Sequence, residues 1–459
     1  MSRAPAGFDG RNAVRVVAAA IVALSLAQTA HAQAPGAALP TALLFENVRV
    51  FDARAARSTG PTNVLVVDDT IRTISSAPIA TPPGTRPVRI AGAGRTLIPG
   101  LIDAHVHLTF GALTQAQMAA PDFTVQKAED AAAEQAGQML LRGFTSVRDV
   151  GGPVFSLKQR IDSGRSPGPR IWPSGPVVSQ TAGHGDFRLP NEPSRRFTGK
   201  PSRSELLGAN FIADGRDEVL TAVRENLRMG ASQIKLMAGG GTSSIYDPID
   251  VTQYTLDEMR AAVEAAEDWN TYVTVHAYTP RAMRRAIEAG VKCIEHGQLA
   301  DEETLKLMAE KGVWLSAQNL IADSPDMDPS RREKRIPVIA GQARLWPLAR
   351  KHGVKIAWGT DFLFEPPLNA QQNAYILQLK PWFTPAEILK LITHDNAQLL
   401  ALSGPRSPYA GRLGVVEEGA LADLILVAGD PVANIDLLGD ADRNFAVIVK
   451  DGVLVKGGP

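Results

Sequence analysis

The sequence predicts an α/β protein: a (β/α)8 barrel of the TIM type with a small β-sandwich domain built from both chain termini. Three observations lead there. From about residue 96 to 403, eight short runs rich in Val, Ile and Leu alternate with segments of helical periodicity, as in a parallel sheet covered by helices. Strand-like runs also lie near both chain ends, so the two termini can share one sheet. Histidines and an aspartate stand at the ends of several of the eight runs, where such barrels place their chemistry. A doubly wound open sheet is the alternative, but no GxGxxG follows an early strand.

Composition narrows the function. The chain has 459 residues, 44% hydrophobic and 21% charged, which is ordinary for a globular protein and excludes a fully disordered one. Lys plus Arg is 48 and Asp plus Glu is 48, so the net charge of zero argues against a nucleic-acid binder or a polybasic membrane-surface protein. Cys293 is the single cysteine, which excludes an intrachain disulfide and a multi-cysteine zinc site.

Residues 1–32 read as a signal peptide. Arg3, Arg11 and Arg15 form a basic opening, and residues 16–27 are apolar but short of the ~20 residues that span a bilayer. Ala30-His31-Ala32 then supplies a small-x-small cleavage pattern. The expectation is an exported protein, periplasmic or secreted, starting at Gln33 and free of the membrane. A membrane anchor or a disordered tail is the alternative.

Residues 33–95 form the N-terminal part of the small β domain, with strands over 42–50 and 63–74. Residues 406–459 form its C-terminal part, with strands over 422–427 and 445–455 and a hairpin signal at Asp451-Gly452. The barrel occupies 96–405. Its expected strands are 96–108, 145–151, 170–174, 233–237, 272–278, 293–296, 314–318 and 355–361. A helix over 125–142 sets Ala128, Ala132, Ala136, Met139 and Leu140 on one stripe and stops at Gly143. Thr255 and Glu258 form a capping box; Thr279-Pro280 and Thr384-Pro385 each read as an N-cap followed by proline. The polar, Pro/Gly-rich stretch 179–214 is expected over the barrel mouth.

His105 and His107 lie two apart on one strand, so both imidazoles share a face. His276 and His296 lie near the ends of the fifth and sixth strands, and Asp361 ends the eighth. This nitrogen and oxygen set suits zinc or a similar divalent ion. Two structural histidines would also produce HxH, but five such residues at four matching strand ends are a more specific signal. Lys235 sits in the fourth strand with apolar neighbours. Burial lowers an amine's pKa, and a neutral amine can capture carbon dioxide as a carbamate that bridges two metals. In isolation, a lysine reaching the surface or pairing with an acid is the plainer reading.

The run Leu97-Ile98-Pro99-Gly100-Leu101-Ile102-Asp103-Ala104-His105-Val106-His107 resembles the opening signature of the amidohydrolase superfamily. Thr145 to Gly151 (TSVRDVG), Lys235 to Gly240 (KLMAGG), His276-Ala277-Tyr278, Glu295-His296-Gly297, Gly359-Thr360-Asp361 and Gly419 to Leu424 (GALADL) follow in the superfamily's order. The resemblance is to its binuclear metal-dependent branch of Xaa-Pro dipeptidases, carboxypeptidases and ochratoxin-type amidases. It implies His105, His107 and Asp361 on one metal, His276 and His296 on a second, and a carboxylated Lys235 and a hydroxide bridging both. Zinc is the expected ion. It further implies Asp361 as general base and acid, and His184 as a catalytic residue touching the substrate carbonyl.

Tyr278 and Arg188 are candidates for holding a substrate carboxylate, although for Arg188 an ordinary surface role is the plainer reading. Glu295 and Cys293 are expected on the strand face opposite His296, in structural roles. The implied activity is hydrolysis of an amide or peptide bond beside a carboxylate-bearing amino acid: dipeptides, N-acyl amino acids or ochratoxin-type amides. A homo-oligomer is also implied. The alternatives are a cyclic-amide hydrolase like imidazolonepropionase, a deaminase, or an inactive binding barrel. Lys235 counts against deamination, and the complete ligand set counts against inactivity.

Overall fold

A computed structural model of the chain describes residues 42–244, 246–319 and 329–458. The signal-peptide expectation falls outside the described residues. Six strands precede the barrel-like segment: β1 (Ala42–Asp52), β2 (Arg57–Ser58), β3 (Thr62–Val67), β4 (Thr70–Ser75), β5 (Val88–Ala91) and β6 (Thr96–Pro99). The parallel strands follow as β7 (Leu101–Val106), β8 (Phe144–Asp149), β9 (Arg170–Pro173), β10 (Val177–Ser179), β11 (Asn210–Ile212), β12 (Ile234–Met237), β13 (Val273–Ala277), β14 (Cys293–His296), β15 (Trp314–Ala317) and β16 (Lys355–Trp358). The chain then returns as β17 (Leu424–Val427), β18 (Phe445–Lys450) and β19 (Val453–Lys456).

Both ends of the described chain share one nine-stranded sheet, with β17 antiparallel to β6 and β6 parallel to β1. The β18–β19 hairpin turns at Asp451 and Gly452, whose φ values of 53° and 68° are those of a type I′ turn. The expected single strand over 96–108 is instead two strands in two sheets. Its break is Gly100, whose N–H donates to Asp423 O at 2.8 Å. A Cβ there would stand 2.1 Å from Thr145 Oγ1. Residues on both sides of the break are buried, so apolar patterning runs on through it.

The parallel strands form a seven-stranded sheet, β11-β10-β12-β13-β14-β15-β16, and a three-stranded sheet, β7-β8-β9. Helices separate most of them, giving the α/β class that the alternation predicts. β10 and β11 were not expected; three residues each are too short to show a period. β11 lies within the stretch read as a mouth loop, together with the short helices Arg195–Thr198 and Arg203–Leu206.

Helix Val125–Leu141 buries its alanine stripe with Met139 and Leu140, is capped by Thr124, and ends before Gly143 at φ 92°. Thr255 and Thr384 each close a capping box. Thr279 precedes helix Pro280–Ala289, but its side chain makes no cap hydrogen bond. Helix Pro329–Lys351 carries two internal prolines, Pro337 and Pro347, which obscure it in the sequence. It is held by its buried face, including Val338, Leu345 and Trp346. Among the described residues no helix is long and apolar enough to cross a membrane.

Candidate metal centre

The C-terminal ends of the parallel strands bring the predicted ligands together. His105 Nε2 and His107 Nε2 each lie 3.3 Å from Asp361 Oδ1, and His296 Nδ1 lies 3.8 Å from Asp361 Oδ2. One ligand atom from each of His105, His107 and Asp361 falls within 4.8 Å of the others. The His276 and His296 rings are 4.4 Å apart, and His296 is 5.1 Å from His105. Two of these residues leave regular strand geometry: His296 has φ 75° and Asp361 φ 54°. Left-handed backbone at such residues costs of order 1–3 kcal/mol and persists only where the surroundings enforce it. Lys235 enters from β12, is 1% exposed, and has its pKa pushed below the ordinary lysine value by burial.

Hydrogen bonds at the outer edges assign the ring nitrogens. His105 Nδ1–H donates to Glu295 Oε2 at 2.7 Å. His107 Nδ1–H donates to Gly151 O at 3.0 Å, His296 Nδ1–H to Gln318 Oε1 at 2.6 Å, and His276 Nε2–H to Gly240 O at 3.1 Å. His105 and His107 then turn their unprotonated nitrogens toward Asp361, the arrangement of metal-binding histidines, and His276 and His296 are left with one unprotonated nitrogen each. Burial pushes His276 and His296 well below the usual imidazole range, so both rings are neutral. His105 Nε2 and Asp361 Oδ1 are both buried without a hydrogen-bond partner, although only 3.3 Å separates them. Two converging lone pairs at that distance repel unless a cation lies between them, so the donor set fits a divalent metal.

Above these residues is a cavity of about 230 Å³. Lys235, His276, His296 and Asp361 line it with His184 and Tyr278, aromatic walls come from Phe110, Phe187 and Phe364, and Arg331 and Arg335 complete the lining. His184 stacks on His276 with centroids 4.0 Å apart, and Tyr278 meets His276 edge-on at 5.0 Å.

The amidohydrolase family profile matches residues 96–457. The chain belongs to the amidohydrolase family. This amidohydrolase is 33% identical over 377 residues to the ochratoxinase of Aspergillus niger, covering 79% of this chain and 76% of that one. Among solved structures it resembles a prolidase complexed with N-methylphosphonate-L-proline, at TM-score 0.82 and 33% identity, over 91% of this chain and all of that one (100%). It also resembles a Xaa-Pro dipeptidase with bound methionine, at TM-score 0.76 and 29% identity, over 91% and 100% of the two chains. These likenesses imply a TIM-like barrel with an additional domain.

Not every sequence-predicted residue joins the amidohydrolase site. Arg188 grips Asp186 with two hydrogen bonds, Nε to Oδ1 at 2.8 Å and Nη2 to Oδ2, and does not line the cavity. Glu295 shares a face with Cys293, as strand alternation predicts, but that face is the inner one, and the carboxylate reaches His105. His296, at φ 75°, is the residue that departs from the alternation. Arg148 Nη2 donates to Glu295 Oε1 at 2.6 Å, and Thr274 Oγ1 donates to the same oxygen. Burial raises the Glu295 pKa, but Arg148 and His105 outweigh it and hold the group well below the usual carboxylate range. Cys293 packs beside this pair, with Sγ 3.5 Å from Glu295 Oε1. Sequence reading missed Arg148 and Glu295 as partners; a base and an acid inside two of the expected barrel strands was the available signal. It also missed Arg331 and Arg335. His352 pairs with Glu302 and His394 with Asp395, both apart from the cavity.

Proposed function

We propose that this amidohydrolase cleaves an amide or peptide bond whose leaving amine carries a carboxylate: a dipeptide, an N-acyl amino acid or an ochratoxin-type amide. The observation that carries the reading is one cavity floored by His107, His276, His296, Asp361 and Lys235, with His105 beside Asp361, and edged by cationic and phenolic groups. The prolidase, Xaa-Pro dipeptidase and ochratoxinase relatives support it. His105, His107 and Asp361 would hold one divalent ion, most simply zinc, and His276 and His296 a second. A buried neutral Lys235 amine that adds carbon dioxide and loses a proton becomes a carbamate, an anionic ligand for both. Such ions lower the pKa of bound water and polarise a carbonyl.

The chain's own residues do the rest. Asp361 accepts the attacking water's proton and passes it to the leaving amine. His184 faces the scissile carbonyl, and Tyr278 with Arg331 and Arg335 holds the carboxylate. Closure of the parallel strands into a (β/α)8 barrel belongs to the same reading. Its support is Asp361 N–H donating to His105 O at 2.9 Å and Thr360 Oγ1 donating to Asp103 Oδ2 at 2.7 Å, which tie the end of the last strand to the first. Export of a chain starting at Gln33 and homo-oligomeric assembly complete it.

The test is a screen of the zinc-loaded protein against dipeptides, N-acyl amino acids and ochratoxin-type aryl amides, with metal counted by elemental analysis. Hydrolysis of carboxylate-bearing amides with about two metals per chain is expected. Activity confined to carboxylate-free cyclic amides, or no metal uptake, overturns the reading.

A further inference from the structure

The loop after β12 contains a buried carboxylate to which the reading above gives no task. Asp247 is 1% exposed, and its Oδ2 lies 3.2 Å from His184 Nδ1. The same oxygen accepts from Gly241 N at 2.8 Å and from Gln253 Nε2 at 3.4 Å. Gln253 Oε1 in turn accepts from the His184 backbone N at 2.9 Å. Ser244 Oγ also lies 2.8 Å from His184 Nδ1. The loop is pinned from outside by Lys334, on helix Pro329–Lys351, whose amine donates to the carbonyls of Ser244 and Asp247 at 2.9 and 2.7 Å.

The His184 ring is confined on its faces as well. One lies against His276, and a Cβ on Gly241 would come within 1.8 Å of ring atom Cε1, so that approach requires glycine. With the Nδ1 edge occupied by Asp247 and Ser244, the free edge is Nε2, whose nearest polar neighbour is Ser243 Oγ at 3.5 Å. Ser243 and His184 both line the cavity.

We propose that Asp247 is a positioning residue for amide hydrolysis: it holds the Nδ1 edge of His184 and so presents Nε2 to the scissile carbonyl. The inference rests on the hydrolase reading above. In a merely structural role, Asp247 would satisfy the Gly241 and Gln253 amides and leave His184 indifferent to it. An asparagine in its place keeps the shape and, with its oxygen held by the Gly241 and Gln253 donors, offers Nδ1–H only a neutral acceptor, which weakens the preference for that tautomer.

The experiment has two arms on the metal-loaded full chain. In the first, 15N NMR of the wild type, with His184 assigned by its loss in His184→Ala, is expected to show a proton on Nδ1. In Asp247→Asn, which removes the charge, that proton should be shared with Nε2. A wild-type ring lacking the Nδ1 proton overturns the proposal without any variant needing to fold. In the second, steady-state kinetics on a hydrolysed substrate compare Asp247→Asn, His184→Ala and the double variant. Asp247→Asn is expected to lower kcat by about 10- to 100-fold with KM within about twofold, and to add less than about twofold to His184→Ala. Losses that multiply overturn the proposal. Failure of the wild type to hydrolyse any carboxylate-bearing amide overturns the hydrolase reading instead, while the NMR arm still decides whether Asp247 holds the ring.

Discussion

Glu295 Oε2 stands 2.7 Å from His105 Nδ1, and both side chains are wholly buried. The contact joins a metal-ligand candidate to a charge chain in the protein interior. Arg148 bonds Glu295 and also reaches Ala104 O at 2.6 Å, Ser316 Oγ at 3.2 Å and Tyr272 Oη at 3.3 Å. The guanidinium thereby ties β7 to β13, β14 and β15 through groups on or next to those strands. Carboxylate partners of this kind orient the ring and raise its basicity.

Removing one member of this chain strands the other as an uncompensated charge. Arg148→Met is expected to destabilise the protein by about 3–5 kcal/mol. Chemical denaturation of the apoprotein checks it. A loss below about 1 kcal/mol would show that the pair contributes little.

Glu295→Gln keeps an acceptor near His105 while removing the negative charge. Metal affinity should fall about 10- to 100-fold, as for other outer partners of metal-bound histidine. Competition against a calibrated chelator measures it. Unchanged affinity would detach Glu295 from the metal centre.

Asp361→Asn separates proton transfer from metal binding. With metal content held at the wild-type level by added zinc, kcat should fall by about 10²–10⁴. Turnover that survives in the metal-loaded variant would remove Asp361 from the general-base role.

The pKa shifts of His276 and His296 set an acid limit for the metal-free protein. Both folded values lie below the ordinary 6.5 because burial disfavours the charged rings. Below pH 6.5 the unfolded chain therefore binds protons that the folded one refuses. Their contribution to stability is complete above 6.5 and is lost progressively as pH falls from there toward the folded values. Denaturation midpoints of the apoprotein should decline over this window, and less steeply in His276→Gln. Identical profiles for the two proteins would contradict the assignment.

Arg331 and Arg335 are expected to act on substrate choice. Replacing both with alanine should raise KM for an N-acyl amino acid about 10- to 100-fold and leave that for the corresponding amino-acid amide nearly unchanged, since one charge-assisted contact contributes about 1.5–3 kcal/mol. Equal rises for acid and amide would mean that the arginines only shape the cavity wall.

Much of this molecule was legible in one dimension because the relevant rules are local. A period of two puts His105 and His107 on one face, and a strand end followed by a helix marks where His276, His296 and Asp361 emerge. Capping residues Thr255 and Thr384 act within four positions of themselves. Other features depend on what lies across the fold. Thr145 leaves no room for a side chain at Gly100, where the chain passes from one sheet to another. Glu295 and His296, neighbours on one strand, both face inward because His296 adopts left-handed backbone, which no side-chain pattern announces. Asp247 meets His184 from 63 positions further along the chain. Periodicity reports which face a side chain occupies; only folding decides which buried charge it finds there, because that partner comes from a distant strand or loop and a buried charge must be paired wherever the chain can supply a partner.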